Sequence, residues 1–351
     1  MMCNTANVPV VQIGPYKVGP GQPPLIIAEA CINHEGRYDV AEKMVYVAHA
    51  MGAHAIKFQI HVLENEMLRD APQSSNFQEP LYDTLHKTNL TVEEHRRLKW
   101  LCEQLGILYL CTPFSRKGAD ILGELGVVAY KTGSGELTNL PLQEHIARKG
   151  KPMIVSTGMC TADEVKETVD AIQPIGAPLI LAHCVSAYPT PYHIVNLGMV
   201  PKYVNRFQVP VGLSDHSRGI YTSLGAVALG ACLIEKHFTL DKMRGGPDNV
   251  VSIEPDELAE LVKGSQAIFQ ALGDEKRVFR EEEEILAWAR ESVVTETVIK
   301  KGARITEDMV WVKRPGPGHG VVPAKDFRKI IGKVARVDIP KDTQLKWDQV
   351  E

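Results

Sequence analysis

Residues 25–34 read Leu-Ile-Ile-Ala-Glu-Ala-Cys-Ile-Asn-His, and this stretch decides between two architectures. Its first half is a continuous apolar run, the mark of a strand buried on both faces of a parallel sheet. In an open doubly wound sheet the first such strand turns into a Gly-rich phosphate loop. Here the run leads into Glu29, Asn33 and His34, polar side chains of the kind that gather at the mouth of a (β/α)8 barrel.

The pattern repeats outward from this point. Apolar runs at 55–60, 107–112, 127–132, 153–157, 179–184, 209–213 and 232–238 make eight strands with the first. Helical periodicity follows at 40–50, 92–105, 119–125, 162–172, 220–229 and 255–272. The helices after strands four and six are less clear, with 141–148 and a broken stretch at 195–204. Eight βα units in about 250 residues fit the barrel in number and size. Before them, Val10–Ile13 and Tyr16–Val18 around Gly14-Pro15 read as a hairpin.

The 351 residues are 44% hydrophobic and 23% charged, which excludes a disordered or fibrous chain. No run approaches a membrane span, and the first twenty residues lack the pattern of a secretory signal. A net charge of −4 argues against a nucleic-acid binder. From Ser292 onward 12 Lys+Arg face 8 Asp+Glu, so the remainder is acidic and a boundary falls near residue 290. The expected division is a catalytic barrel over 1–280, a charged linker over 281–291 and a small, mostly β module over 292–351. The seven cysteines, Cys3, Cys31, Cys102, Cys111, Cys160, Cys184 and Cys232, form no C-x-x-C pair. Cys31, Cys111, Cys184 and Cys232 sit in or beside apolar runs and read as small core hydrophobes in a reducing, cytoplasmic setting.

Chemistry in a barrel concentrates where the strands end. Those ends carry Glu29; Lys57 and Gln59; Thr112; Lys131, Ser134 and Glu136; Ser156; His183, Ser186 and Tyr188; Ser214 and His216; and Glu235 and His237. Two lysines among hydroxyls, with Gly133, Gly135 and Gly158 letting backbone amides approach, make an anion site for phosphate or carboxylate. Pairing of the lysines with Glu29 and Glu136 is the plain structural alternative. His216 and His237, on neighbouring strands, could share a divalent metal such as Mn²⁺, Mg²⁺ or Zn²⁺.

Taken in order, Glu29-Ala-Cys-Ile-Asn-His-Glu-Gly36, Lys57-Phe-Gln59, Cys111-Thr-Pro-Phe114, Lys131-Thr-Gly-Ser-Gly-Glu136, Ser156-Thr-Gly158, Ser186-Ala-Tyr-Pro189, Gly212-Leu-Ser-Asp-His216 and Glu235-Lys-His-Phe-Thr239 resemble the sialic acid synthase family. Lys313-Arg-Pro-Gly316 and Ile331-Gly-Lys333 resemble the antifreeze-like (SAF) domain that such synthases carry.

The resemblance implies condensation of phosphoenolpyruvate with an N-acetylmannosamine-type aldehyde, the acceptor being that sugar, its 6-phosphate or a diacetamido-trideoxyhexose of the legionaminic or pseudaminic type. It implies that Lys57, Thr112, Lys131, Ser134, Ser156, Ser186 and Ser214 hold phosphoenolpyruvate. Gln59, Asn76, Glu136, Tyr188 and Asp248 would meet the sugar, with Trp288 and Arg314 reaching it from the partner of a domain-swapped homodimer. His216 and His237 would hold Mn²⁺ or Mg²⁺, and Glu29 would handle protons, with Glu136 as its competitor for that role. The nearest enzymatic rival is a Schiff-base aldolase using Lys57 or Lys131. A non-catalytic sugar-binding scaffold is the rival from another class.

Overall fold

The computed structural model describes residues 5–71, 79–244 and 246–351. The chain forms two compact units that divide after Gly273. The first opens with the hairpin β1 (Val11–Ile13) and β2 (Tyr16–Val18). Eight strands follow: β3 (Leu25–Glu29), β4 (Ala55–Ile60), β5 (Leu108–Pro113), β6 (Tyr130–Thr132), β7 (Met153–Ser156), β8 (Leu179–Cys184), β9 (Val211–Asp215) and β10 (Leu233–His237).

These eight form one sheet in the order β5-β4-β3-β10-β9-β8-β7-β6, and its ladder pairs are parallel. The end strands β5 and β6 approach within 8 Å between Cα atoms, so the sheet curls into a TIM-like barrel. The strand β6 is only three residues long, shorter than its apolar run, because pairing with β7 begins at Tyr130.

Helices α1 (Tyr38–Ala50), α2 (Leu81–Thr88), α3 (Val92–Leu105), α4 (Arg116–Leu125), α5 (Leu140–Ala147), α6 (Ala162–Ile172), α7 (Met199–Phe207), α8 (Tyr221–Ala228) and α9 (Pro255–Ala271) fill the connections. Local chemistry sets their starts. Thr91 with Glu94, and Thr161 with Glu164, form capping boxes that satisfy the first free N–H groups of α3 and α6. After β6, where periodicity is weak, α5 is started by the Asn139 side chain accepting from Leu142 N–H, with Pro141 in the first turn.

Strand alternation divides the core. Met44, Phe58 and Leu98 lie in the layer between sheet and helices. Inward residues Leu25, Ile27, Leu110, Ile154 and Ile180 fill the barrel, joined by Val11, Ile13 and Val18 of the hairpin. Because Leu25, Leu108 and Leu233 open their strands, the hairpin plugs the N-terminal end and leaves the opposite end for chemistry.

The second unit pairs β11 (Ser292–Thr295) with β12 (Val310–Lys313), antiparallel, over a core including Val293, Ile299, Ile305, Val322, Ile339 and Leu345. The connector is not plain chain: α10 (Glu283–Ala289) packs closely on Gly316, whose N–H donates to Ala287 O at 2.9 Å. Glu283 and Glu284 sit in its first turn, where a helix N-terminus favours negative charge. Among the described residues no helix is long and apolar enough to cross a membrane.

Gly212, on β9, has no room for a side chain: an added Cβ would meet Leu233 Cγ at 2.3 Å and Leu233 O at 2.6 Å. Gly212→Ala should destabilise the barrel by about 1–3 kcal/mol. Chemical denaturation measures this, and an unchanged midpoint would contradict the close approach of β9 to β10.

Candidate active site

The C-terminal ends of the strands surround a cavity of about 550 Å³. Its floor is a buried ion cluster. The Lys57 ammonium donates to Thr112 Oγ1 at 2.9 Å and lies 2.9 Å from Glu29 Oε2 and 3.7 Å from Glu235 Oε2. Lys131 donates to Ser156 Oγ at 2.6 Å and lies 3.4 Å from Glu235 Oε1, which also accepts from Ser214 Oγ at 2.8 Å. The lysines thus pair with Glu29 and Glu235; among the described residues Glu136 takes no part in an ion pair.

The two glutamates are driven apart. Burial would raise Glu235, but Lys131 and Lys57 together outweigh it and hold its pKa below the usual range. Burial raises Glu29, against the pull of Lys57 and with Glu235 adding to the rise. Burial also opposes the charge on Lys57, yet Glu235 and Glu29 outweigh it and keep the ammonium protonated. Burial lowers Lys131 despite Glu235. Two cations facing one firmly ionised carboxylate leave an electropositive floor suited to an anion. A permanently charged Lys57 is also a poor amine nucleophile.

On one side, Gln59 donates to Glu29 Oε1 at 3.3 Å and is itself held by His61, which bonds Glu66 at 2.8 Å and stacks on Phe114 at 4.5 Å. On the other, Ser134 Oγ accepts from Gly158 N–H at 3.1 Å. A Cβ on Gly158 would stand 2.3 Å from Ser186 Oγ and 2.6 Å from Ser134 Oγ, so glycine is what lets the two hydroxyls converge. Cys184 completes this wall, its Sγ 3.6 Å from His216 Nδ1.

The rim carries the imidazoles. The rings of His216 and His237 are 5.3 Å apart. His216 is engaged through both nitrogens, Nδ1 with Val185 O and Nε2 with the Tyr188 hydroxyl, each at 3.0 Å. His237 Nδ1 is buried without a hydrogen-bond partner among the described residues and lies 4.0 Å from Asp248 Oδ2. Donor atoms of Cys31, His237 and Asp248 lie within 4.8 Å of one another. An unsatisfied buried imidazole nitrogen beside a carboxylate fits a divalent metal.

Of the residues singled out from the sequence, Glu29, Lys57, Gln59, Thr112, Lys131, Ser134, Glu136, Ser156, Ser186, Tyr188, Ser214, His216, His237 and Asp248 line this one cavity. Trp288 and Arg314 belong to the second unit, where the guanidinium lies 5.4 Å over the indole. Asn76 lies outside the described residues. Glu235, Cys31, Cys184, His61 and Glu66 line the cavity too and were not assigned roles from the sequence. Cys31 and Cys184 are buried as expected, Cys31 in an apolar cluster with Ile32, Leu63 and Leu85, and both also form part of the cavity wall. Period-two alternation from His237 back to Glu235 is the signal that finds the missing glutamate.

The NeuB family model matches residues 44–277, two-thirds of the chain, from within α1 to past the end of the barrel. The chain belongs to the NeuB family. The SAF domain model matches residues 290–351, most of the second unit. Over 93% of its length the chain is 38% identical to an N,N'-diacetyllegionaminic acid synthase of Legionella pneumophila, covering 94% of that protein. It is 35% identical to the human N-acetylneuraminate-9-phosphate synthase, over 95% of this chain and 94% of that one. The crystal structure of a sialic acid synthetase from Leptospira borgpetersenii superposes with a TM-score of 0.73 at 34% identity, covering 80% of this chain and 95% of the other. This NeuB chain is an enzyme, a phosphoenolpyruvate-dependent sugar acid synthase.

Glu136 offers a measurable charge effect. Burial, and then the neighbouring Glu66, push its carboxyl up from 4.5 to about 7, with Lys131 opposing. Below pH 4.5 the folded and unfolded chains both carry the proton; above 7 the fold must bear a buried carboxylate. Wild-type stability should therefore fall relative to Glu136→Gln between those limits, by about 1–3 kcal/mol. Urea unfolding of both proteins at pH 5 and 8 tests it; a difference independent of pH would contradict the assignment.

Proposed function

We propose that the chain joins phosphoenolpyruvate to an N-acetylmannosamine-type aldehyde, with water, to give a nine-carbon 3-deoxy-2-keto sugar acid and phosphate. The observation that carries this reading is the pair of buried ammoniums, Lys57 and Lys131, each hydrogen-bonded to a hydroxyl at the cavity floor. Their excess charge suits a substrate bearing both a phosphate and a carboxylate. Thr112, Ser134, Ser156, Ser186 and Ser214 supply neutral donors around it.

In the condensation, C3 of phosphoenolpyruvate bonds to the aldehyde carbon, whose oxygen takes up a proton. Water adds at C2, and cleavage of the C2–O bond releases phosphate. Glu29 stands where such protons must pass: its carboxyl is raised, contacts Lys57 and is aimed by Gln59. Glu136, raised to about 7, is the second group able to exchange a proton near neutral pH. A divalent metal, Mn²⁺ or Mg²⁺, held by His237, and by His216 once its Nε2 gives up the Tyr188 hydroxyl, would supply Lewis-acid polarisation of the aldehyde oxygen. Gln59, Tyr188 and Asp248 orient sugar hydroxyls. In the same reading the chain works as a domain-swapped homodimer in which the exposed Arg314 of the SAF domain and Trp288 of the connector helix α10 reach the partner's sugar site.

A second acceptor class has its own support. Met67, Leu81 and Leu85 give one part of the cavity an apolar lining, which suits the deoxygenated carbons of a diacetamido-trideoxyhexose. Purified protein with phosphoenolpyruvate and Mn²⁺ should release phosphate when given N-acetylmannosamine, its 6-phosphate or that hexose, and the fastest of the three identifies the acceptor. Silence with all three would overturn the proposal. Lys131→Met should lower kcat/KM for phosphoenolpyruvate about 100-fold or more, and an unaffected variant would remove Lys131 from the anion site.

A further inference from the structure

Cys31 is a costly residue for its position. It follows β3 by two residues in a turn closed by Asn33 N–H donating to Ala30 O at 2.9 Å, and its φ of 45° lies in the left-handed region that suits glycine or asparagine. A non-glycine residue held there is over-determined by its surroundings, and such outliers collect at functional sites. The strained turn places the thiol inside the cavity, buried to 6% exposure.

What the thiol faces gives the strain a purpose. Its Sγ, a ring nitrogen of His237 and a carboxylate oxygen of Asp248 lie within 4.8 Å of one another, and all three residues are buried. His237 Nδ1 has no hydrogen-bond partner among the described residues. The loop that carries Asp248 is tied to the Cys31 turn: Asn33 donates to Ser252 Oγ at 2.9 Å, and Ser252 Oγ donates to Asp248 O at 2.7 Å. Such outer bonds hold donors in place before an ion arrives. Donor atoms around a tetrahedral ion stand about 3.6 Å apart, so closing on one requires side-chain shifts of about 1 Å.

We propose that Cys31, His237 and Asp248 ligate the metal of this enzyme, the Cys31 thiolate joining the imidazole already assigned. The inference rests on the metal part of the proposed function and adds a sulfur donor to it. Sulfur ligation moves the preference from Mg²⁺ toward Zn²⁺, Co²⁺ or Fe²⁺. One oxygen of Asp248 suffices for the ion and leaves the other for a sugar hydroxyl.

Cobalt reports the ligand directly. Protein stripped with a chelator and reloaded with Co²⁺ should show a near-ultraviolet sulfur-to-cobalt charge-transfer band. Cys31→Gly, which suits a positive φ and should keep the fold by circular dichroism, should lose that band and bind Co²⁺ at least tenfold more weakly. Cys184→Ser should keep it, separating the other cavity thiol. Bound cobalt without the band, or a band that survives Cys31→Gly, overturns this inference alone. Failure of the wild-type protein to take up cobalt overturns the metal assignment as well.

Discussion

Two lysines and two glutamates share the floor of the barrel mouth, each almost wholly buried, and the rest of the cavity is arranged around that fact. Removing four ionisable groups from solvent is expensive unless each finds a partner at close range. Lys57 reaches Glu29 at 2.9 Å, Lys131 reaches Glu235 at 3.4 Å, and Glu235 is shared by both cations. Sharing makes the arrangement asymmetric: one carboxylate is held ionised, the other is pushed toward its protonated form. An anion-accepting site and a proton-handling site thus come from one cluster, because the second glutamate is left short of compensating charge.

Such a cluster demands a rigid frame, and the four groups come from three adjacent strands and one distant one. β4, β3 and β10 are neighbours in the sheet, and β6 approaches only through the curl of the barrel. The apolar interior below, closed by the β1–β2 hairpin, keeps water from entering from the far end. Close-packed glycines extend the same logic. Gly158 lets the Ser134 and Ser186 hydroxyls converge, and Gly212 lets Leu233 fill the interior beneath Glu235.

Much of the barrel was readable because its signals are local. Continuous apolar strands spaced by helical stretches identify parallel units, and Glu29, Lys57, Lys131, Ser156 and His237 stand at the ends where barrel chemistry gathers. The residues that were missed share a different property: their roles depend on direction. Glu235 reads as one member of Glu-Lys-His, yet alternation sends Glu235 and His237 inward while Lys236 pairs with Asp215 at 3.2 Å on the outer face. Cys31 reads as a small hydrophobe until a positive φ turns its thiol into the cavity. His61 and Glu66 matter through Gln59, a relation between side chains that no spacing encodes.

The sequence by itself determined the architecture, the small C-terminal module and the inventory of cations, hydroxyls, carboxylates and imidazoles at the strand ends. Periodicity and turn chemistry act over a few residues and are written in order along the chain. Only the tertiary structure decided which glutamate answers which lysine, which imidazole is spoken for by Tyr188 and Val185, and which buried nitrogen is left open beside Asp248 and Cys31. Those choices depend on distances of 3–5 Å between residues as much as two hundred and seventeen positions apart, as Cys31 and Asp248 are, and closure of the sheet is what sets them.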